Sequence, residues 1–224
     1  MGLQTMSSIA TVHLPAPRGF QNPERITERE QMLLTEARVQ PLVEWAEALV
    51  ARRTAKNPDI LVPRFDPADA GVEARVLVLL EAPGPMTNVG NHRPGSGFIS
   101  VDNDDRTAET TWHARNEAGM HTGALHWNIV PWYLGAAGVQ HPTAEEVGQG
   151  AMELRRLLPL LPDLRAVILA GNYAQNGWAK HVAPFVSDGP LVLDTWHPSP
   201  LAMTKPERRE DLFRAFRRAA SVAG

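Results

Sequence analysis

The chain contains no cysteine among its 224 residues. It therefore has no disulfide bond, no thiolate zinc site and no cysteine-ligated iron–sulfur cluster. It also lacks any apolar run close to the roughly 18 residues that cross a bilayer, and its N-terminus lacks the basic and apolar regions of a signal peptide. We therefore expect a cytoplasmic protein that has no membrane partner.

Positive charge is not in excess either, because the formal net charge at pH 7 is −3. This argues against a protein that coats nucleic acid by bulk electrostatics, although it leaves room for a local basic face. The hydrophobic content of 43% and charged content of 21% are typical of a globular domain. We expect one domain over 1–224 and a monomer, with residues 1–25, rich in Pro, Ser and Gly, forming an extended arm.

The remaining sequence alternates between helical and strand patterns. Residues 26–55 have an apolar helical stripe that includes Leu34, and Thr27 with Glu30 forms a possible capping box. Four short, nearly continuous apolar runs follow, which is typical of strands buried on both faces of a parallel sheet. The pattern predicts an α/β fold. The predicted strands are 75–80, 125–130, 166–170 and 191–193, and the predicted helices between and after them are 107–119, 143–158, 173–182 and 206–220.

Unusual polar residues stand at the ends of these strands, where open parallel sheets bind their ligands. The strand over 191–193 leads into His197-Pro198-Ser199-Pro200-Leu201. Its two prolines fix φ and remove two backbone donors, so the turn is stiff. A stiff turn with an imidazole at one end and an apolar wedge at the other suits an enzyme that pushes a base out of the DNA stack.

Five motifs in order resemble the uracil-DNA glycosylase superfamily. The resemblance implies a three-layer α/β/α sandwich with a central four-stranded parallel sheet. It implies a DNA repair enzyme that hydrolyses the bond between uracil and deoxyribose in base excision repair, with no metal or cofactor and with single- or double-stranded DNA containing uracil as its partner. The resemblance covers residues 75–205, and its motifs are Leu80-Glu81-Ala82-Pro83-Gly84, Gly97-Phe98, Asn128, Gly171-Asn172-Tyr173-Ala174-Gln175 and His197–Leu201.

The resemblance also implies roles for single residues. His197 would be a neutral imidazole that donates to the uracil carbonyl between the two ring nitrogens, where negative charge develops. Asn128 has one donor and one acceptor, which match the adjacent N–H and carbonyl of uracil but not the reversed pattern of cytosine. Phe98 would stack on the flipped base. Each residue also has an ordinary alternative: a capping or core histidine, an amide bonded to backbone, and a core phenylalanine.

Four residues are expected to contact DNA. Leu201 would fill the hole that the flipped nucleotide leaves, unless it is simply a buried leucine. Backbone amides around Ser199, and at Asn172 and Gln175, would position phosphates. For Asn172 and Gln175 the alternative is helix capping.

The first motif departs from the best-known members in two substrate-binding positions. Ala82 stands where they carry an Asp that positions the attacking water, and the Glu-Ala-Pro-Gly sequence resembles an iron–sulfur class that needs four cysteines. Gly84 stands where they carry a Tyr that excludes thymine, so activity on 5-substituted uracils stays open. Our first candidate for handling the water is Glu81. The second is the acidic run Asp102, Asp104 and Asp105, of which Asp105 also suits a helix start.

Two other functions remain open. His121 and His126, with carboxylates nearby, admit a metal hydrolase, although they lack the i,i+4 spacing of common zinc motifs. The second is a protein of the same fold that binds damaged bases or abasic sites with little or no turnover, and it is supported by the absence of a carboxylate at Ala82.

Overall fold

The computed structural model describes residues 14–55, 57–135, 138, 141–187 and 189–224. Its strands alternate with helices along the chain, as the sequence predicts. The strands are β1 (Arg64–Phe65), β2 (Val76–Leu80), β3 (Phe98–Ile99), β4 (Ala124–Asn128), β5 (Ala166–Ala170) and β6 (Leu191–Thr195). The helices are α1 (Pro23–Thr35), α2 (Gln40–Thr54), α3 (Arg106–Glu117), α4 (Ala144–Leu157), α5 (Asn172–His181) and α6 (Pro206–Ala223).

The central sheet has four parallel strands in the order β4-β2-β5-β6. Side chains of successive strand residues point to opposite faces, so Leu77 and Leu79 join one apolar cluster while Val76 and Val78 join the other. The first cluster includes residues of α2, α4 and α5, and the second includes residues of α3 and α6. The expected three-layer α/β/α arrangement is confirmed. Within the described residues, no helix is both long enough and apolar enough to cross a membrane.

The single helix expected over residues 26–55 is instead two helices. The first begins at Pro23, where the side chain of Asn22 accepts a hydrogen bond from the backbone N–H of Glu24, so the expected Thr27–Glu30 capping box is wrong. It ends before Glu36, whose ψ of 103° leaves the helical region. After a short 3₁₀ turn, Pro41 stands in the first turn of α2, where a missing N–H is tolerated.

The expected extended arm is also wrong for the part of it that is described. Phe20 is buried and its N–H donates to the carbonyl of Asp102. The indole N–H of Trp112 donates to the carbonyl of Leu14, and residues 23–25 already belong to α1. Residues 14–22 therefore pack against the loop before α3. Residues 1–13 lie outside the described part.

The expectation that all four strands are buried on both faces holds for β2, β4 and β5 but not for β6. Leu191 and Val192 are exposed, because the β6 edge of the sheet is covered less completely than the β4 edge, where all five strand residues are buried. The sequence analysis also missed β1 and β3, which pair in parallel to form a separate two-stranded sheet. Each has only two residues, too few for an alternating pattern to show.

Candidate active site

A cavity lies at the carboxyl ends of the central strands. Its volume is about 450 Å³. It brings together four of the residues chosen from sequence, two from the loop after β2, one from the end of β4 and one from the turn after β6. These are Ala82, Gly84, Asn128 and His197. The first half of α3 also contributes to the wall through residues 106–108 and 111.

His197 reaches the cavity from the turn that follows β6, and it packs closely on the turn between β5 and α5. A Cβ on Gly171 would lie 2.9 Å from the Cβ of His197, and Gly171 has a φ of +96°, so glycine is required there both for space and for backbone conformation. Burial, and secondarily the charge of His141, lower the pKa of His197 to about 4. The imidazole is therefore neutral at neutral pH and carries one N–H donor.

Asn128 is the last residue of β4 and its side chain lines the same cavity. The residue is 95% buried, since its exposed fraction is 5%. Its Oδ1 has no hydrogen-bond partner among the described residues. A buried acceptor without a partner costs about 1–3 kcal/mol, so a donor from a bound molecule would be stabilising at this position.

The carboxylates proposed to activate the attacking water differ in whether they line the cavity. Glu81 is not part of the cavity lining, and its Oε1 lies 2.8 Å from Nδ1 of His141. Asp102 is fully buried and forms an ion pair with Arg29. Asp104 is held away from the cavity by Arg93 and, at 2.8 Å, by Arg18.

Asp105 is the acidic side chain that the cavity lining contains, within the described part of the chain. Its Oδ1 caps α3 by accepting from the backbone N–H groups of Thr107 and Ala108, at 2.8 and 2.9 Å. Burial raises the pKa of Asp105 and outweighs these two hydrogen bonds, which act in the opposite direction. The carboxylate therefore combines a fixed position with a higher proton affinity than an exposed aspartate.

Phe98 lies elsewhere. Its ring is fully buried, with the Arg64 guanidinium 4.2 Å from its centroid and the ring of Phe20 at 6.4 Å. The next residue, Ile99, lines the cavity instead. Side chains alternate along a strand, and the structure turns Phe98 toward the core and Ile99 toward the cavity.

The four residues expected to contact DNA lie outside the cavity lining. Ser199 and Leu201 are in the turn after β6, and Asn172 and Gln175 are in the first turn of α5. Leu201 has an exposed fraction of 83%, the highest among the exposed large apolar residues of the described chain. Ser199 is half-buried, and Asn172 is exposed as the first residue of α5. Gln175 differs, because its side-chain N–H groups donate to the carbonyls of Leu169 and Thr195. It ties β5 to the end of β6 and so supports the turn that carries His197.

Sequence reasoning treated His126 only as a possible metal ligand and so missed it as a polar residue of the cavity wall. His126 is buried against Asp69 and lines the cavity, whereas His121 is exposed. No group of three or more metal-ligating side chains occurs in the ranges that the structure covers. The signal was available: His126 is two residues before Asn128 on one strand, and residues at that spacing share a face.

The family model described as the uracil DNA glycosylase superfamily matches residues 69–221, which is more than half of the chain. No curated protein matches the chain. The matched region contains the whole central sheet and the cavity residues named above.

Proposed function

The chain belongs to the uracil DNA glycosylase superfamily, and we propose that it flips uracil out of DNA and hydrolyses its glycosidic bond. Membership of this superfamily supports a glycosylase-type reaction on DNA, whereas uracil as the base that is released is our proposal. The observation that carries it is one cavity lined by a neutral imidazole, at His197, and by a buried amide whose oxygen has no partner in the described structure, at Asn128. Such a pair suits uracil, because the imidazole can donate to one carbonyl of the base while the amide contacts the neighbouring N–H and the second carbonyl.

His197 acts on the leaving base. When the bond between N1 of uracil and C1′ of the sugar breaks, its electron pair moves into the base, and the carbonyl between the two ring nitrogens gains negative charge. The neutral imidazole donates a hydrogen bond to that oxygen. A donor fixed in a water-poor cavity stabilises the developing charge without having to reorganise.

Asp105 acts on the sugar and the water. Loss of the base leaves positive charge on the sugar, which a carboxylate in the cavity wall stabilises electrostatically. The water oxygen then bonds to C1′ while Asp105 accepts a water proton, which passes afterwards to solvent or to the base anion. A raised pKa brings a carboxylate closer to the operating pH and so makes it a better general base. This assigns to Asp105 the task that Ala82 cannot perform.

Replacement of Asp105 by asparagine is expected to slow base release by about a hundredfold. Asparagine is isosteric and caps helices as well as aspartate does, so the effect on folding should be small. In the wild-type enzyme, activity should fall as the pH drops through a pKa that burial has raised above the ordinary aspartate value. The measurement is single-turnover base release against pH.

The matched control is Asp104→Asn, which removes a neighbouring carboxylate that arginines hold outside the cavity. It should leave the rate of base release close to that of the wild type. If Glu81→Gln slowed release more than Asp105→Asn did, the water would be handled from the His141 side, and the assignment to Asp105 would be wrong.

The proposed function itself is tested by base release from an oligonucleotide that carries one uracil, in single- and double-stranded form and in EDTA. Alkaline cleavage at the resulting abasic site gives the expected product. Because Ala82 leaves its position in the cavity without a carboxylate, a second candidate is a lesion-binding protein with little turnover. Tight binding of the same DNA without strand scission would favour that candidate over the glycosylase.

A further inference from the structure

The loop that carries Asp105 is held from behind by the N-terminal part of the chain. Alternate residues of this loop line the cavity, and these are Val101, Asn103 and Asp105. Asp102 and Asp104 stand between them and face away from the cavity. Each of these two carboxylates pairs with an arginine from residues 14–29. That segment lies outside residues 69–221, so the cavity wall is supported by a part of the chain that the family match does not cover.

Arg29, on α1, fixes this loop at Asp102. Its guanidinium forms an ion pair with Asp102, and its Nε lies 3.2 Å from Oδ1 of Asp66. Asp66 directly follows β1, so one guanidinium joins α1, the end of β1 and the loop before α3. All three side chains are buried, and solvent therefore screens these pairs very little. A planar guanidinium that binds two carboxylates holds both in a defined geometry.

The backbone of the N-terminal segment is tied to the same region at two points. The N–H of Phe20 donates to the carbonyl of Asp102, at 2.9 Å, and the ring of Phe20 is buried. The carbonyl of Leu14 accepts from the indole N–H of Trp112, on α3, at 3.1 Å. Asp105 caps α3 and lies in sequence between these two anchors. The segment therefore bridges the loop and the helix that Asp105 begins.

Arg18 brings a positive charge to the back of the loop. Its Nε donates to Oδ1 of Asp104 at 2.8 Å, and Nε2 of Gln21 donates to the same oxygen at 2.8 Å. An asparagine at position 104 keeps an oxygen that can accept both bonds. Among the described residues other than glycine, Arg18 alone has a positive φ, of 58°. Such a conformation is disfavoured for arginine, so the contacts of the segment hold Arg18 in this place.

The charge of Arg18 also acts on Asp105. Burial raises the pKa of Asp105, whereas the two hydrogen bonds that cap α3 and then the charge of Arg18 lower it, and the charge of Asp104 raises it. Arg93 also pairs with Asp104. The other ionisable residues of the cavity lining are Arg106, His126 and His197. Of the charges that act on Asp105, that of Arg18 comes from the N-terminal segment.

We infer that residues 14–29 form a positioning element for Asp105, in which Arg29 holds the loop in place and Arg18 holds a positive charge behind the carboxylate. The inference rests on the general-base role proposed above for Asp105 and deepens it. A carboxylate must be ionised to accept a proton from water, and it must stay at the right distance from the reacting atoms. Neither arginine lines the cavity, so both are positioning residues.

The role of Arg18 is tested by the pH profile of single-turnover uracil release. Arg18→Gln keeps a side-chain N–H donor but removes the charge, so the pKa of Asp105 should rise further. The acidic limb of the profile should then move to higher pH by about half a pH unit to one pH unit. Arg18→Lys restores the charge and should return the limb close to its wild-type position. A merely structural role would lower the rate at every pH without moving the limb.

The matched control for Arg18→Gln is Arg25→Gln. It makes the same change at an exposed arginine of the same segment, which pairs with Glu28 on its own helix. This variant should leave the acidic limb where it is in the wild type. A limb that moved equally in both variants would contradict the role of Arg18.

The role of Arg29 is tested by Arg29→Lys, which keeps a positive charge but loses the planar group that spans two carboxylates. The plateau rate of uracil release should fall by about tenfold to a hundredfold, as expected when a catalytic group is misplaced by about 1 Å. Affinity for an uncleavable uracil duplex should stay close to that of the wild type. An equal loss of rate and affinity would indicate general damage to the cavity and contradict the positioning role. If this variant does not fold, the Arg18 variants decide, because that side chain is one-third exposed.

A nuclear magnetic resonance titration of the Asp105 carboxylate separates this inference from the proposed function, because it needs no turnover. Asp105→Asn identifies the signal. If the wild type releases no base but Arg18→Gln raises the measured pKa of Asp105 and Arg25→Gln does not, the inference stands and the proposed function fails. If uracil is released while neither the limb nor the measured pKa responds to Arg18→Gln, the glycosylase stands and the inference is wrong. Absence of release together with an unchanged pKa overturns both.

Discussion

Replacement of His197 by alanine is expected to slow uracil release by about a hundredfold to a thousandfold, the usual effect of removing one donor to a developing oxyanion. This donor has no substitute, because His197 belongs to the turn after β6 and is held against Gly171, whose missing Cβ makes room for it. No other described element reaches the cavity from that edge of the sheet. Single-turnover release from a uracil-containing duplex measures the loss.

Two further measurements show whether the loss is chemical. His197→Ala should still bind an uncleavable uracil duplex and keep the wild-type thermal stability, and His121→Ala, at an exposed position, should release uracil normally. A nuclear magnetic resonance titration of the His197 imidazole should give a pKa of about 4, because burial disfavours its charged form. An imidazole that titrates at the ordinary value, or an alanine variant with an unchanged rate, would contradict the role assigned to His197.

The fold could be predicted where apolar pattern and burial coincide. β2 and β5 are central strands, and the predicted strands 75–80 and 166–170 match their bounds to within one residue. The two helices α1 and α2 could not be separated from sequence, because their apolar stripe continues through the break at Glu36. The exposure of β6 depends on which edge of the sheet the rest of the chain covers, because β4 is an edge strand too and is buried. No single run of residues contains that information.

The candidate site shows the same division. A motif predicts that a residue such as Asn128 stands at a strand end, because strand ends are set by local sequence. It does not predict which way a side chain turns, so it could not show that Phe98, on β3, faces the core and that Glu81, in the loop after β2, contacts His141. The partnership of Asp69 with His126 joins residues that are 57 positions apart. Only the folded chain brings such a pair together.

The second large effect is expected at Asn128, where aspartate should abolish the distinction between uracil and cytosine. The amide offers one donor and one acceptor, and a site built to satisfy such groups can discriminate by about 10⁴ or more. A carboxylate keeps the acceptors but loses the donor, so it repels the uracil carbonyl that the amide contacts. We expect uracil release to fall steeply and the ratio of uracil to cytosine release to collapse.

The comparison requires duplexes that differ only in the target base, uracil or cytosine, each opposite guanine. Asn172→Asp is the matched control, because it makes the same change at an exposed amide outside the cavity lining, and it should preserve the ratio. The buried Oδ1 of Asn128 has no partner within the described chain, so the protein gains little from the amide unless a base completes it. An unchanged ratio in Asn128→Asp would show that this amide does not recognise the base. The cavity would then have to select uracil by its shape and by His197 alone.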